Sequence, residues 1–252
     1  MRYEVSSCSL QGRRSRQEDR VVVSQQSDGI LLAIMDGHGG AGVSEFCKKH
    51  LVSEFVTQCQ KHGQPADYQS ILTSVVAGLH VATQNRYSGS TISIVFVTSE
   101  GVAHVAVLGD SPVVIKDHSG RMIFSPEHNV GTNPKERESA LRRGAVEDGP
   151  SYVMVRNSQD SIQLSRSLGD RSFPFLNREP DLMCEHLTSG SFVLVGSDGL
   201  FDGVAGKNEA TTHQIVEIAS GGEFDAKAIC TRAYHEHGSE DNVSAIVLRV
   251  TE

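Results

Sequence analysis

Residues 30–40 read ILLAIMDGHGG, an apolar run that ends in Asp36 and a glycine-rich turn. The arrangement recurs: Asp110 follows VAHVAVLG, Asp198 follows FVLVGS, and Asp241 directly precedes NVSAIVLRV. Short apolar runs bounded by turn residues are typical of buried strands, so each acid is expected at the end of a core strand. Strand ends can converge at one edge of a sheet, and neighbouring glycines let the backbone come close to a ligand.

These four acids permit two interpretations. Asp-Gly and Gly-Asp are common turn dipeptides, so a loop explains any one of them alone. Four carboxylates brought together would repel one another unless cations neutralised them. Carboxylate oxygens suit Mg²⁺ or Mn²⁺, which prefer octahedral sites of oxygen ligands. The pattern therefore indicates a multi-carboxylate Mg²⁺ or Mn²⁺ site, with the turn interpretation still open.

The wider hydrophobic pattern predicts sheets with helices packed outside them. Strands are predicted at Ile30–Met35, Ile92–Val97, Val102–Leu108, Phe192–Gly196 and Val243–Val250. Apolar residues at every fourth position predict helices at 41–60 and 67–86. The strands come in runs and these two helices are consecutive, so the strict alternation of a doubly wound parallel sheet is absent.

Two further helices are predicted from their capping residues. One spans 134–143, with Asn133 as its N-cap, Pro134 and Glu136 in its first turn and Gly144 after its end. The other is expected to run from an Asp225 cap to Gly238. No linker, repeat or low-complexity segment interrupts the chain, so we expect one domain over 1–252.

Composition excludes several classes of protein. The formal charge is −8 and no basic run stands out, which argues against nucleic acid as a partner. Five scattered cysteines without a C-x-x-C pair favour free thiols in a reducing compartment. No signal peptide and no long apolar segment is present, so no membrane association is expected. A soluble, monomeric protein of the cytoplasm or nucleus is expected.

Eight short motifs resemble, in their order, those of the PPM/PP2C serine/threonine phosphatases. They are QGRRSRQED at 11–19, DGHGG at 36–40, GST at 89–91, GDS at 109–111, LSRSLGD at 164–170, EPD at 179–181, SDGLFD at 197–202 and DNVSAIVL at 241–248. The resemblance implies an α+β fold, a four-layer α/β/β/α sandwich of two antiparallel sheets flanked by helix pairs. It also implies that about 126–163 forms a flap beside the active-site cleft.

The resemblance implies a two-ion centre bridged by Asp36. The other ligands of these two ions would be Glu18, the Gly37 carbonyl, Asp198 and Asp241. A weaker third ion would be held by Asp110 and Asp202 together with Asp198. These ions would be Mg²⁺ or Mn²⁺, and a hydroxide bridging the first two would attack the phosphorus of phosphoserine or phosphothreonine in protein substrates, without a phosphoenzyme.

The resemblance also gives roles to three other side chains. Asp19 would orient metal-bound water, and Arg14 would bind the phosphate, with Arg16 as the alternative. His38 would protonate the leaving alkoxide. One position departs from the pattern, because Pro112 stands where many relatives carry arginine after GDS. We expect the contacts of that arginine to be lost without loss of activity.

Two other functions match part of the sequence. Cys8 and Arg14 fit the C-x5-R spacing of cysteine-dependent phosphatases, but the residues between them lack the glycine-rich loop and following helix that this chemistry needs. A pseudophosphatase acting as a binding or regulatory module is the alternative from another class. Such members have typically replaced metal-binding acids, whereas Glu18, Asp36, Asp198 and Asp241 are all present here.

Overall fold

A computed structural model describes residues 1–63, 65–201 and 225–251. Two five-stranded antiparallel sheets form its centre. The first sheet has the order β1 (Tyr3–Leu10), β16 (Val243–Val250), β15 (Phe192–Gly196), β8 (Val113–Lys116) and β9 (Met122–Phe124). The second has the order β14 (Asp181–His186), β7 (Val102–Leu108), β6 (Ile92–Thr98), β3 (Gly29–Met35) and β2 (Arg20–Gln26). All five predicted strands are confirmed, each to within one residue at either end.

Strand β3 shows why the sheets stack in layers. All seven of its residues are buried, because both of its faces are covered. Leu31, with every second residue after it, packs against helices on the outside of the second sheet. Leu32 and its alternates pack against side chains of the first sheet. An apolar run without alternation is therefore a strand buried on both sides, in accord with the period of two along a strand.

The helices cover the outer faces of the two sheets. The second sheet carries α1 (Gly42–His62) and α2 (Tyr68–Thr83), whereas α4 (Ala226–His235) packs on the first sheet. Among the described residues, α4 is the only helix on the outer face of the first sheet, where a helix pair was expected. The four-layer α/β/β/α arrangement is confirmed.

Helix ends differ modestly from the prediction. Helix α2 stops at Thr83 and not at residue 86, because a turn closed by the Arg86 amide and the Thr83 carbonyl (2.9 Å) follows. Helix α4 begins after the expected Asp225 cap, whose side chain accepts a hydrogen bond from the Lys227 amide. It ends at His235, before Gly238. No helix in the described parts of the chain is long and apolar enough to cross a membrane.

A small subdomain occupies the segment between β9 and the cleft. It contains α3 (Pro134–Arg142) and a three-stranded sheet of β10 (Val146–Asp148), β11 (Tyr152–Met154) and β12 (Ser161–Ile162). The Asn133 side chain caps α3 by accepting from two amides of its first turn, as predicted. Glu136 of α3 is ion-paired to Arg166 at 2.6 Å, and both side chains are largely buried. This ion pair fixes the subdomain to the segment that leads to Asp170.

A second short sheet lies where the second large sheet ends. Its strands are β13 (Leu168–Gly169), β5 (Gly89–Ser90) and β4 (Gly37–His38), in that order. Gly37 pairs with Ser90, and His38 with Gly89. Because β4 follows β3 after the single residue Asp36, this sheet fixes both Asp36 and His38 at the end of the sandwich.

Candidate active site

The predicted acids meet in one cleft at the end of the sandwich. Asp36 and Asp110 follow strands of the second sheet, whereas Asp198 and Asp241 adjoin strands of the first. All four line a cleft of about 610 Å³. Glu18, Gly37, His38 and Arg14 line it as well. Asp202, predicted to hold a third ion, lies outside the described residues.

Asp36 lies on the floor of the cleft, and its backbone is held on the neighbouring strand β6. The Asp36 amide donates to Thr91 Oγ1 at 3.1 Å, and the Thr91 amide donates to the Asp36 carbonyl at 2.9 Å. Burial, followed by the charge of Asp198, raises the pKa of Asp36 well above its usual value. The backbone bonds hold Asp36 in place, and its surroundings disfavour the carboxylate anion. A bound cation would stabilise that anion, so these features are expected of a metal ligand.

Asp19 lies behind this floor, buried between the loop of residues 11–18 and strand β16. Ser244 Oγ donates to Asp19 Oδ2 at 2.7 Å, whereas Asp19 Oδ1 is buried without a hydrogen-bond partner. Burial raises the pKa of Asp19 to about 6, and the charges of Asp198 and Asp241 act in the same direction. Asp19 does not line the cleft itself, and its buried unpaired oxygen costs free energy unless a donor or cation approaches it.

Arg14 reaches into the cleft from the loop of residues 11–18. Its Nη2 lies 2.5 Å from Asp241 Oδ2, and its side chain is still 60% exposed. Gly12 has a positive φ, and a Cβ there would overlap the Asp241 carbonyl, so the loop approaches this acid closely only with glycine. Arg16 does not line the cleft. The placement therefore favours Arg14 over Arg16 as the phosphate-binding arginine.

Asn242 holds this loop, and sequence reasoning assigned it no role. Its Oδ1 accepts from the Glu18 amide at 2.8 Å, and its Nδ2 donates to the carbonyls of Gln11 (2.7 Å) and Arg16 (2.9 Å). Three bonds from one buried amide thus fix both ends of the segment that carries Arg14 and Glu18. The only sequence signal was its place beside Asp241.

We expect Asn242→Ala to lower both stability and activity. The substitution leaves one amide and two carbonyls without partners, which costs about 2–3 kcal/mol in urea unfolding. Loss of the fixed loop also lowers kcat/KM about tenfold or more, because positioning of Arg14 and Glu18 is lost. Asn177→Ala is the control, since the Asn177 side chain accepts only one exposed hydrogen bond, from the Glu179 amide. Equal effects of the two substitutions would contradict the positioning role.

His38 is paired with a second residue that sequence reasoning left without a role, Asp170. His38 Nε2 lies 2.7 Å from Asp170 Oδ2, and Ser167 Oγ donates to the same oxygen at 2.5 Å. Burial lowers the pKa of His38, but the hydrogen bond and charge of Asp170 outweigh it, so the pKa is raised. The pairing favours the protonated ring, which can donate a proton.

The close approach of this pair requires a glycine beneath it. A Cβ at Gly89 would overlap the Asp170 carboxylate and the His38 ring. Gly89 lies between β4 and β13 in the short sheet, so this sheet brings residues 38 and 170 together. The motifs GST and LSRSLGD contain Gly89 and Asp170. Their contact could not be predicted from the sequence, because the two residues are far apart in the chain.

Asp110 is held at the back of the cleft. Asn129 Nδ2 donates to Asp110 Oδ2 at 2.8 Å, and Asp110 is 8% exposed. The adjacent His128 accepts from the Gly109 amide through Nδ1 at 3.0 Å, which fixes the turn. The Pro112 carbonyl accepts from the Gly196 amide at 3.0 Å, which ties this turn to strand β15.

The donor set fits hard divalent cations. Arg14 is the only Arg or Lys among the described residues that line the cleft, and it faces seven acids: Glu18, Asp36, Asp110, Asp160, Asp170, Asp198 and Asp241. Oxygen ligands in excess of local positive charge suit Mg²⁺ or Mn²⁺. Within the described ranges no three acidic, histidine or cysteine side chains already converge on one ion position. The pairing of Asp241 with Arg14 accounts for part of this, since that carboxylate would have to turn from Arg14 to ligate.

Comparison with known proteins gives one family. The family model for protein phosphatase 2C matches residues 3–243. Protein phosphatase 1L of Bos taurus is 28% identical over 269 residues, covering 98% of this chain and 72% of that protein. A solved structure of a C. elegans sex determining protein has a TM-score of 0.82 and 25% identity, covering 98% of this chain and 64% of that chain.

A second solved structure bears on the ions. It is the catalytic domain of the serine threonine protein phosphatase PstP in complex with two manganese ions. It matches with a TM-score of 0.67 and 18% identity, covering 99% of both chains. At this identity the likeness shows the fold alone.

Proposed function

Because this chain belongs to the protein phosphatase 2C family of serine/threonine phosphatases, we propose that it hydrolyses phosphoserine and phosphothreonine in proteins with two Mg²⁺ or Mn²⁺ ions. One observation carries the proposal. A floor of carboxylates, an arginine and a histidine–aspartate pair line the same cleft. These are the groups needed to bind a phosphate, activate water and protonate a leaving group.

The ions would be held at the junction of the two sheets. Asp36 would bridge them, and the remaining ligands would be Glu18, the Gly37 carbonyl, Asp198 and Asp241. Two such ions lower the pKa of a shared water and offset the charge of the phosphoryl oxygens. The raised pKa of Asp36 and the unpaired oxygen of Asp19 support this assignment, since a nearby cation relieves both.

The protein's own side chains supply the remaining steps. Arg14 binds two phosphate oxygens with its planar guanidinium, releasing Asp241 as it does so. Asp19 accepts a hydrogen bond from water on the cleft side and keeps it oriented. With its Nε2–H bonded to Asp170, the protonated His38 ring donates its Nδ1 proton to the serine or threonine oxygen as the P–O bond breaks.

Three further assignments belong to this proposal. Asp110 and Asp202, with Asp198, would hold a weaker third ion. The segment of about 126–163, whose Tyr152 lines the cleft, would form a flap that contributes to substrate choice within a single catalytic domain of residues 1–252. The protein would act as a monomer on phosphorylated proteins in a reducing compartment, the cytoplasm or nucleus, as its free cysteines suggest.

A metal-exchange assay tests the proposal. The purified chain is treated with EDTA, then assayed on p-nitrophenyl phosphate and a phosphothreonine peptide with Mn²⁺, with Mg²⁺ or with neither. We expect hydrolysis with added ion and a loss of at least about a hundredfold without it. Full activity in EDTA would contradict the two-ion mechanism. Binding of phosphopeptides without turnover under every condition would instead identify a pseudophosphatase.

A further inference from the structure

Two cysteines outside the cleft lie against each other at the edge of the first sheet. Cys8 is on β1, the outermost strand, and Cys230 is on α4, which packs over that strand. Cys230 Sγ lies 4.0 Å from the Cys8 carbonyl oxygen, and both side chains belong to the same apolar cluster. They are separated by 222 residues in the chain, so the fold alone brings them together.

The register of α4 along β1 explains the contact. The Ala226 amide, in the first turn of α4, donates to Ser6 Oγ at 3.0 Å. Two residues along a strand advance about 6.6 Å, and four residues along a helix advance about 6 Å. A step from Ser6 to Cys8 therefore matches a step from Ala226 to Cys230. The proximity of Cys8 and Cys230 thus follows from how the helix is anchored.

The two thiols differ in exposure and in chemistry. Cys8 is half-buried on an edge strand, whereas Cys230 is fully buried. The interaction with Cys230 lowers the pKa of Cys8 to about 7, which favours its thiolate near neutral pH. The same contact, together with burial, raises the pKa of Cys230. Cys8 is therefore the more reactive and more accessible thiol, and Cys230 is buried next to it.

We propose that Cys8 and Cys230 form a peroxide-reactive site that closes to a reversible disulfide between β1 and α4. The Cys8 thiolate attacks one oxygen of a hydroperoxide, the O–O bond breaks, and the departing alkoxide or hydroxide takes up a proton. Cys8 is then a sulfenic acid. Cys230 Sγ attacks Cys8 Sγ, the S–O bond breaks, and hydroxide leaves with the Cys230 proton as water. The two thiols lose two electrons in total, which reduce the peroxide.

Peptide mapping of the full chain tests this site. The protein is treated with hydrogen peroxide at pH 7, free thiols are alkylated under denaturing conditions, and the digest is analysed without reduction. We expect a cross-linked pair of peptides containing residues 8 and 230, which dithiothreitol separates. Cys8 should be consumed on the order of tenfold faster than Cys184, whose pKa is raised, because the gain in thiolate outweighs its lower nucleophilicity.

Three variants complete the experiment. Cys184→Ser, which changes an exposed cysteine on β14, should leave the cross-link unchanged. Cys230→Ser should abolish it and let Cys8 proceed to sulfinic acid. Cys8→Ser should leave Cys230 unoxidised. Consumption of Cys8 no faster than Cys184, or sulfinic acid at Cys8 of the wild type without the cross-link, would overturn the proposal. The wild-type mapping decides this even if a variant fails to fold.

Discussion

We expect Asp36→Asn to lower the hydrolysis of both p-nitrophenyl phosphate and phosphopeptides by at least about a thousandfold, which corresponds to about 4 kcal/mol of lost transition-state stabilisation. The size follows from the place of Asp36 as the proposed bridge, because its loss weakens both ions together. Steady-state kinetics with saturating Mn²⁺ measures the effect. Asp160→Asn is the matched control: Asp160 is an exposed acid of the same cleft without an assigned ligand role, and its loss should change kcat less than about threefold.

We expect Asp36→Asn to stabilise the folded chain although it lowers activity. This combination distinguishes a metal ligand from an acid that stabilises the fold. Burial and the charge of Asp198 raise the pKa of Asp36, so its anion destabilises the folded chain at neutral pH. Asp36→Asn is therefore expected to raise the melting temperature in EDTA at pH 7. The gain should shrink as the pH falls toward the usual range of aspartate, where Asp36 is protonated in both states. A fall in melting temperature at pH 7 would contradict this account.

The second large effect concerns the proton donor. We expect His38→Ala to lower kcat on a phosphothreonine peptide about 10²–10³-fold, because a serine or threonine alkoxide leaves poorly without a proton. The loss on p-nitrophenyl phosphate should be under about tenfold, since p-nitrophenolate is a stable leaving group that needs little protonation. Parallel assays of the two substrates measure the difference. Equal losses on both would contradict a role in protonation.

Asp170→Asn tests whether Asp170 acts through His38. It keeps the shape of the side chain but removes the charge that raises the pKa of His38. We expect the same substrate dependence with a smaller loss. The double variant His38→Ala with Asp170→Asn should be no worse than His38→Ala alone, because residues that act as a unit are not additive. Additive losses would show that Asp170 has another role in the cleft.

Hydrophobic pattern predicted the strands that position the site. The run of residues 30–35 is apolar throughout because β3 is covered by helices on one face and by the first sheet on the other. Its last residue therefore had to be followed by a turn at the edge of the sandwich, where Asp36 lies. The same reasoning placed Asp110, Asp198 and Asp241 at strand ends, and all line one cleft.

The polar contacts inside the cleft were beyond such reasoning. Asn242 bonds to Glu18 across 224 residues, and His38 contacts Asp170 across 132. Neither contact has a periodicity, because each depends on how loops and a short sheet meet after the strands have packed. The pairing of Arg14 with Asp241 was missed for the same reason. Sequence could name the acids, but only the fold shows which groups hold them.

The number of bound ions tests the central claim most directly. The chain is cleared of metal with EDTA, titrated with Mn²⁺ in a calorimeter, and its retained manganese is measured by elemental analysis alongside the rate on a phosphothreonine peptide. We predict two tightly bound ions per wild-type chain, distinct from the weaker third ion, with activity rising as they bind, and one or none for Asp36→Asn. Retention of two ions by Asp36→Asn, or peptide hydrolysis by a wild-type chain that holds none, would contradict the account.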